Sequence, residues 1–188
     1  MFSRRYNARR LKIMAGQARG GSVLDVGHAQ LPNPHLDNFH VTGFDRRRAE
    51  GVSYQAQVQG DIRDIRELLG DEVFDTVLCG EFIEHVEDPY ALLRSLKELM
   101  ASDGRLVLST PNPLGFPVVL LELLRNKSFF YTEDHTHYFL PRWVERMLTS
   151  TGFSVIDVIP VGLWCANVVV PLPVVATSYQ VVYVAEHQ

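Results

Sequence analysis

Four short apolar runs separated by helix-patterned stretches constrain this chain more than any other feature. They are residues 22–27 (SVLDVG), 40–45 (HVTGFD), 73–79 (VFDTVLC) and 105–109 (RLVLS). Each is rich in Val, Leu or Phe, the pattern of strands buried on both faces. Between them, Arg63–Leu69 reads as a short helix and Pro89–Met100 as a longer one. In the longer one, Leu92, Leu96, Leu99 and Met100 make a single apolar stripe. Asp88 suits its N-cap, Pro89 its first turn, and Gly104 a left-handed turn beyond its end. Strand and helix in alternation predict an α/β fold, a doubly wound, mostly parallel sheet with both faces covered.

The last third follows another pattern. Pro141–Gly152 reads as a helix, and Phe153–Ile159 and Tyr179–Ala185 as strands that fit a terminal antiparallel pair. Hydrophobic residues at 46% and charged residues at 21% of 188 exclude wholesale disorder and favour one domain. Two cysteines, Cys79 and Cys165, cannot build a disulfide scaffold or a four-cysteine zinc site. No apolar leader follows Met1, and the stretch Val161–Ala176 is broken by Asn167, Pro171 and Pro173. A protein of the cytoplasm is therefore expected.

Charge is uneven: residues 1–48 hold nine Lys/Arg and three Asp/Glu, residues 49–188 nine and nineteen. Residues 1–21 are expected to form a basic N-terminal helix, either a solvated face or an arm toward phosphates or an anionic membrane. A net charge of −4 argues against a general nucleic-acid binder.

Ligands of open parallel sheets bind outside the carboxyl ends of the strands. Here those ends carry Asp25, Val26 and Gly27; Asp45; and Cys79, Gly80 and Glu81, while Gly60-Asp61-Ile62 precedes the next apolar stretch. A carboxylate after the second strand can accept from two vicinal ribose hydroxyls. An acid followed by an apolar residue can hold an adenine by its amine and its face. Neither a dinucleotide fingerprint nor a Walker loop is present.

VLDVG at 23–27, GFD at 43–45, GDI at 60–62, FDTVLCGEFIEHVEDP at 74–89 and LKELMASDGRLVLSTPNP at 96–113 resemble the ordered motifs of class I S-adenosylmethionine-dependent methyltransferases. The resemblance is nearest the small-molecule group that includes ubiquinone-biosynthesis O-methyltransferases. It covers residues 20–185, and DHTHYFLPRWVERMLTSTGF at 134–153 resembles that group's last helix and sixth strand. The resemblance implies a Rossmann-like sheet of about seven strands, the last antiparallel. It makes residues 22–188 a methyltransferase domain with apolar insertions near 114–131 and 160–177. It implies S-adenosylmethionine as cofactor, with Asp25 and Gly27 at the methionine part, Asp45 at the ribose, Asp61 and Ile62 at the adenine, and Cys79 and Gly80 beside the sulfonium. One departure stands out: Gly27-His28-Ala29-Gln30 replaces the family's glycine-rich loop.

Glu81, Glu84 and His85 sit at i, i+3 and i+4, one face if the segment is helical. Asp134, His135 and His137 make a second cluster. Such sets suit a divalent metal or a general base, since imidazole titrates near neutrality. In the resembled group the matching Glu-x-x-Glu-His positions are associated with a divalent cation, Mg²⁺ being one such. Local helix-start hydrogen bonds and wall filling are the structural alternatives. His85 and His135 are thus the candidate catalytic residues, and Glu81, Glu84 and His85 the candidate metal ligands. The apolar stretches 114–124 and 161–176 fit a substrate wall, a homodimer patch, a peripheral membrane contact or plain core. The expected activity is methyl transfer to a small-molecule or lipid-like acceptor at oxygen. A catalytically silent methyltransferase-like subunit and a nicotinamide-dependent oxidoreductase are the rivals.

Overall fold

In the computed structural model, residues 4–116, 118–124, 135–165 and 168–188 are described. Helix α1 (Arg4–Gln17) leads into β1 (Ser22–Val26), β2 (His40–Asp45) and β3 (Ala56–Gln59). A 3-10 turn and α2 (Ile65–Leu69) precede β4 (Phe74–Gly80), and a second 3-10 turn, Ile83–His85, precedes α3 (Pro89–Glu98). Then come β5 (Met100–Pro111), α4 (Val118–Leu123), α5 (Pro141–Ser150), β6 (Phe153–Pro160), β7 (Leu163–Cys165), β8 (Val168–Val170) and β9 (Gln180–His187).

Seven strands form one sheet in the order β3-β2-β1-β4-β5-β9-β6. The first five run parallel, and β9 lies antiparallel to both β5 and β6. Both the α/β fold class and the expected antiparallel last strand are observed. Strand alternation splits the core into two layers. Leu24, Val26, Val77, Cys79, Leu106 and Leu108 face one way, onto Leu92, Leu93 and Leu96 of α3 and Val144 and Leu148 of α5. Val23, Val41, Leu78, Val107 and Val182 face the other, onto Met14 and Ala15 of α1.

Helix α3 follows its sequence signals. Asp88 accepts the Ala91 N–H at 2.9 Å, and Pro89 occupies the first turn, where a missing donor costs nothing. Leu93 is fully buried. Leu93→Ala should destabilise the fold by about 2–5 kcal/mol. The readout is a lower denaturant midpoint at unchanged slope.

Two sequence expectations are corrected. Met100 opens β5 rather than closing α3, and Gly104 lies within β5, beside the register shift opposite Phe74 and Thr76. A Cβ on Gly104 would meet the Ala101 carbonyl at 2.8 Å, so the glycine serves close backbone packing instead of a turn. Residues 81–85 form no α-helix; only Ile83–His85 make a 3-10 turn. The span between β6 and β9 contains the β7–β8 hairpin. Among the described residues no helix is long and apolar enough to cross a membrane.

Candidate functional site

The carboxyl ends of β1, β2 and β3 lie side by side and are cross-linked by polar contacts. The Ala29 N–H, in the loop after β1, donates to Asp45 Oδ2 at 3.0 Å, and the Arg47 N–H to Oδ1 at 3.1 Å. Arg46, next in chain, reaches Asp61 at 2.7 Å, and Arg63 grips the same carboxylate at 2.9 Å. These arginines hold Asp61 well below the usual carboxylate range, the Arg63 hydrogen bond contributing most. Ile62 follows at the start of a 3-10 turn that Asp61 caps.

The loop that departs from the glycine-rich pattern turns inward. His28 is buried, with its ring so close over Gly43 of β2 that a Cβ there would meet it at 2.6 Å. Its Nε2 lies 3.1 Å from Gln57 Oε1, and its ring packs beside Tyr54. The side chain that stands where the family has a glycine-rich loop thus fills the interior. Gly27 has φ +77°, and its N–H bonds the Phe44 carbonyl at 2.8 Å, so the tight exit from β1 requires glycine. The Phe82 ring lies against it.

Asp25 is also buried. Its carboxylate accepts the Tyr54 hydroxyl, which in turn accepts the Asn33 N–H at 3.0 Å. Burial pushes the Asp25 carboxyl up, opposed by Tyr54 and by the charges of His28 and Arg10. It pushes the Tyr54 hydroxyl up as well, reinforced by Asp25.

Cys79 is fully buried, which raises its thiol well above the ordinary value. Over Gly80 lies Arg10 of α1, whose Nη1 a Cβ on Gly80 would meet at 2.5 Å. Arg10 is only 4% exposed. Its Nη1 donates to Ser109 Oγ at 3.1 Å and its Nε to Asn7 Oδ1 at 3.2 Å. Ser109 Oγ donates to Glu81 Oε1 at 3.1 Å, and Gln180 Nε2 bridges Glu81 Oε2 and Asn7 Oδ1 at 2.7 and 3.2 Å. A closed ring of five side chains thus joins α1 to the tips of β4, β5 and β9. Among the described residues Arg10 has no carboxylate within 4.0 Å. The sequence reading treated Arg10 as part of a basic leader. No local pattern distinguishes it there from Arg9 or Lys12; only tertiary packing does.

Glu81 is the one non-glycine residue with positive φ, +52°, among the described residues. Its N–H bonds the Ser109 carbonyl at 2.9 Å, so both ends of the residue are fixed. Backbone strain of this kind costs about 1–3 kcal/mol and persists where the surroundings over-determine it. Among the described residues Glu81 is not in the group of side chains whose ligand atoms converge around Glu84 and His85.

A different trio converges. Glu84, His85 and His135 offer ligand atoms within 4.8 Å of one another. The rings of His85 and His135 meet edge-on with centroids 4.6 Å apart. Glu84 is 2% exposed; Thr110 Oγ1 donates to its Oε2 at 3.4 Å, and its Oε1 has no hydrogen-bond partner among the described residues. Burial, reinforced by Glu81, raises the Glu84 carboxyl well above its ordinary value. The Glu84 carbonyl accepts the N–H groups of Thr136 and His137 at 2.9 and 3.2 Å, which fixes His135 beside it. Asp134 lies outside the described residues, and His137 stacks on Phe139 away from the trio.

Comparison with known proteins agrees with the fold. A solved S-adenosylmethionine-dependent methyltransferase from Thermotoga maritima superposes with TM-score 0.76 at 16% identity, covering 98% of this chain and 90% of that one. The 1,6-didemethyltoxoflavin-N1-methyltransferase of Burkholderia thailandensis, solved with its substrate and S-adenosylhomocysteine, superposes at 0.67 and 16%, covering 98% and 78%. In sequence, the ubiquinone biosynthesis O-methyltransferase of Aeromonas salmonicida is 30% identical over 151 residues, 73% of this chain and 61% of that protein. The Xanthomonas oryzae pv. oryzae enzyme of the same name is 33% identical over 113 residues, 54% and 45%. The chain thus spans about half to three-fifths of the length of these relatives. A family profile described as methyltransferase domain matches residues 2–158, which takes in α1 with its buried Arg10 and every parallel strand of the sheet, and the chain belongs to that methyltransferase domain family.

Proposed function

We propose that the chain binds S-adenosylmethionine at the tips of β1–β5 and transfers its methyl group to a small-molecule acceptor, at oxygen. What carries the reading is the buried, charge-unpaired guanidinium of Arg10 at one end of a rim whose other end holds Asp45. A ligand with a carboxylate at one end and ribose hydroxyls at the other matches both. Arg10 takes the carboxylate, and Gly27, Cys79 and Gly80 offer backbone atoms to the amino acid part. Asp45, already oriented by two N–H groups, accepts the ribose hydroxyls. Asp61 and Ile62 flank the adenine. Asp25 acts behind the site, holding the loop after β1 through Tyr54.

The cofactor supplies a methyl group on a sulfonium sulfur, open to in-line displacement. The protein aligns the acceptor, keeps water out, and takes the acceptor hydroxyl proton on an imidazole of His85 or His135. Glu84, His85 and His135 also suit a divalent cation. One carboxylate and two imidazoles favour a borderline transition ion over Mg²⁺, which prefers oxygen ligands. The orphaned Glu84 Oε1 supports such an ion. The acceptor is proposed to be lipid-like, since Leu114, Phe116, Leu120, Leu123 and Leu124 expose apolar surface after β5.

Asp45→Asn tests the reading. Hydrogen bonds to a charged group contribute about 1.5–3 kcal/mol each. S-adenosylhomocysteine affinity should therefore fall by roughly 10- to 100-fold in calorimetry. No heat of binding to the native chain at millimolar ligand would overturn the proposal and favour a silent, non-binding relative.

A further inference from the structure

Beyond the strand tips, an open cleft of about 550 Å³ lies between the start of α3 and the segment leading into α5. Tyr90, Tyr138 and Trp143 line it, with the carboxylates of Glu87 and Asp88 at its edge and the buried Met147 beneath. The three rings are 44%, 44% and 59% exposed, unusual for aromatic side chains gathered at one place.

Among the described residues no lysine or arginine lines the cleft. Arg63, within electrostatic reach of Glu87, is committed to Asp61. Among the described residues Glu87 makes no ion pair within 4.0 Å. Asp88 uses Oδ1 to cap Ala91 and keeps its charge at the cleft edge. Aromatic faces are negative at their centres and attract cations, most strongly where water is partly excluded. Rings and carboxylates together therefore select for a positive charge carried on an apolar body. An anion would face two carboxylates, and a neutral apolar molecule would leave them uncompensated.

We propose that this cleft is a binding site for a small alkylammonium cation, distinct from the rim that holds Asp45 and Arg10. The two places share one element: the segment 135–140 brings His135 to the rim and His137–Leu140 to the cleft. The site does not depend on the methyl-transfer reading, because none of Arg10, Asp45 or Asp61 lines it.

The test uses choline and its neutral isostere 3,3-dimethylbutan-1-ol, titrated into the full chain by calorimetry and tryptophan fluorescence. Cation–π contacts contribute about 0.5–2 kcal/mol each, so choline should saturate with a dissociation constant of about 1 mM or below. The alcohol should bind at least tenfold more weakly. Trp143→Leu should abolish choline binding, and Glu87→Gln should weaken it about three- to tenfold. Both residues are exposed, so circular dichroism should stay native. The proposal fails if choline does not saturate by about 10 mM, if the alcohol binds equally well, or if neither substitution changes the affinity.

Discussion

Replacing Arg10 by alanine is expected to weaken S-adenosylhomocysteine binding by at least about 30-fold, with 5′-methylthioadenosine binding unchanged within about threefold. The first ligand carries an amino acid carboxylate and the second does not. On the proposed reading, Arg10 recognises that group alone. Its guanidinium is buried over Gly80 and is linked to Glu81 through intervening side chains, Ser109 on one side and Asn7 and Gln180 on the other. Removing one partner of a buried, hydrogen-bonded charge pair costs about 2–5 kcal/mol, since the other charge is left uncompensated. Arg10→Lys should recover part of the loss, because a point charge replaces a planar fork. Equal weakening of both ligands would assign Arg10 to the architecture of the rim instead. An unchanged affinity for S-adenosylhomocysteine would remove it from the site.

Arg10 also marks where sequence reasoning runs out. The parallel strands announced themselves as apolar runs because each is sandwiched between helices and must be apolar on both faces. β3 did not, because AQVQ lies at the sheet edge with only partial cover. The caps of α3 were legible because they are local chemistry, one side chain and one N–H three residues on. The place of Asp45 at the tip of β2 was legible because the apolar run before it is itself the strand. Glu81 was misread, since the i, i+3, i+4 spacing assumes a helix. The chain instead turns left-handed at Glu81, held by Ser109 and Gln180 from strands 28 and 99 residues away. His135 is brought to Glu84 by the neighbouring Thr136, which hydrogen-bonds the Glu84 carbonyl across 52 residues. Contacts of that range carry no local pattern, and apart from the Arg10–Asn7 bond the polar ring around Arg10 is built from them. His28 shows the converse: a side chain that departs from a family pattern was absorbed by a glycine, Gly43, on the neighbouring strand.

Tyr54→Phe should destabilise the protein more at pH 8.5 than at pH 5. Phenylalanine keeps the ring that packs beside His28 and removes only the hydroxyl. That hydroxyl donates to the buried Asp25 and accepts the Asn33 N–H, so its loss leaves an acceptor and a donor without their partner. Burial already holds the Asp25 carboxyl above its ordinary 3.8, against the pull of Tyr54, His28 and Arg10. A carboxyl raised in the folded state binds its proton more tightly there than in the unfolded chain. Its contribution is therefore greatest below the unfolded value and is lost as pH rises through the folded value. Tyr54 favours the ionised form, so deleting its hydroxyl pushes Asp25 further up and extends that loss to higher pH. Toward acid pH, where the Asp25 carboxyl holds its proton, the missing bond should cost about 0.5–1.5 kcal/mol. Toward alkaline pH, where the bond is to a charged acceptor, the cost should be about 1.5–3 kcal/mol, roughly 3–12 °C in melting temperature. Asp25→Asn removes the titration, so in that background Tyr54→Phe should cost the same at both pH values, and the double-mutant cycle isolates the coupling. A pH-independent cost in the native background would mean that Tyr54 acts through Asn33 alone, with the loop after β1 held in place without the charge on Asp25.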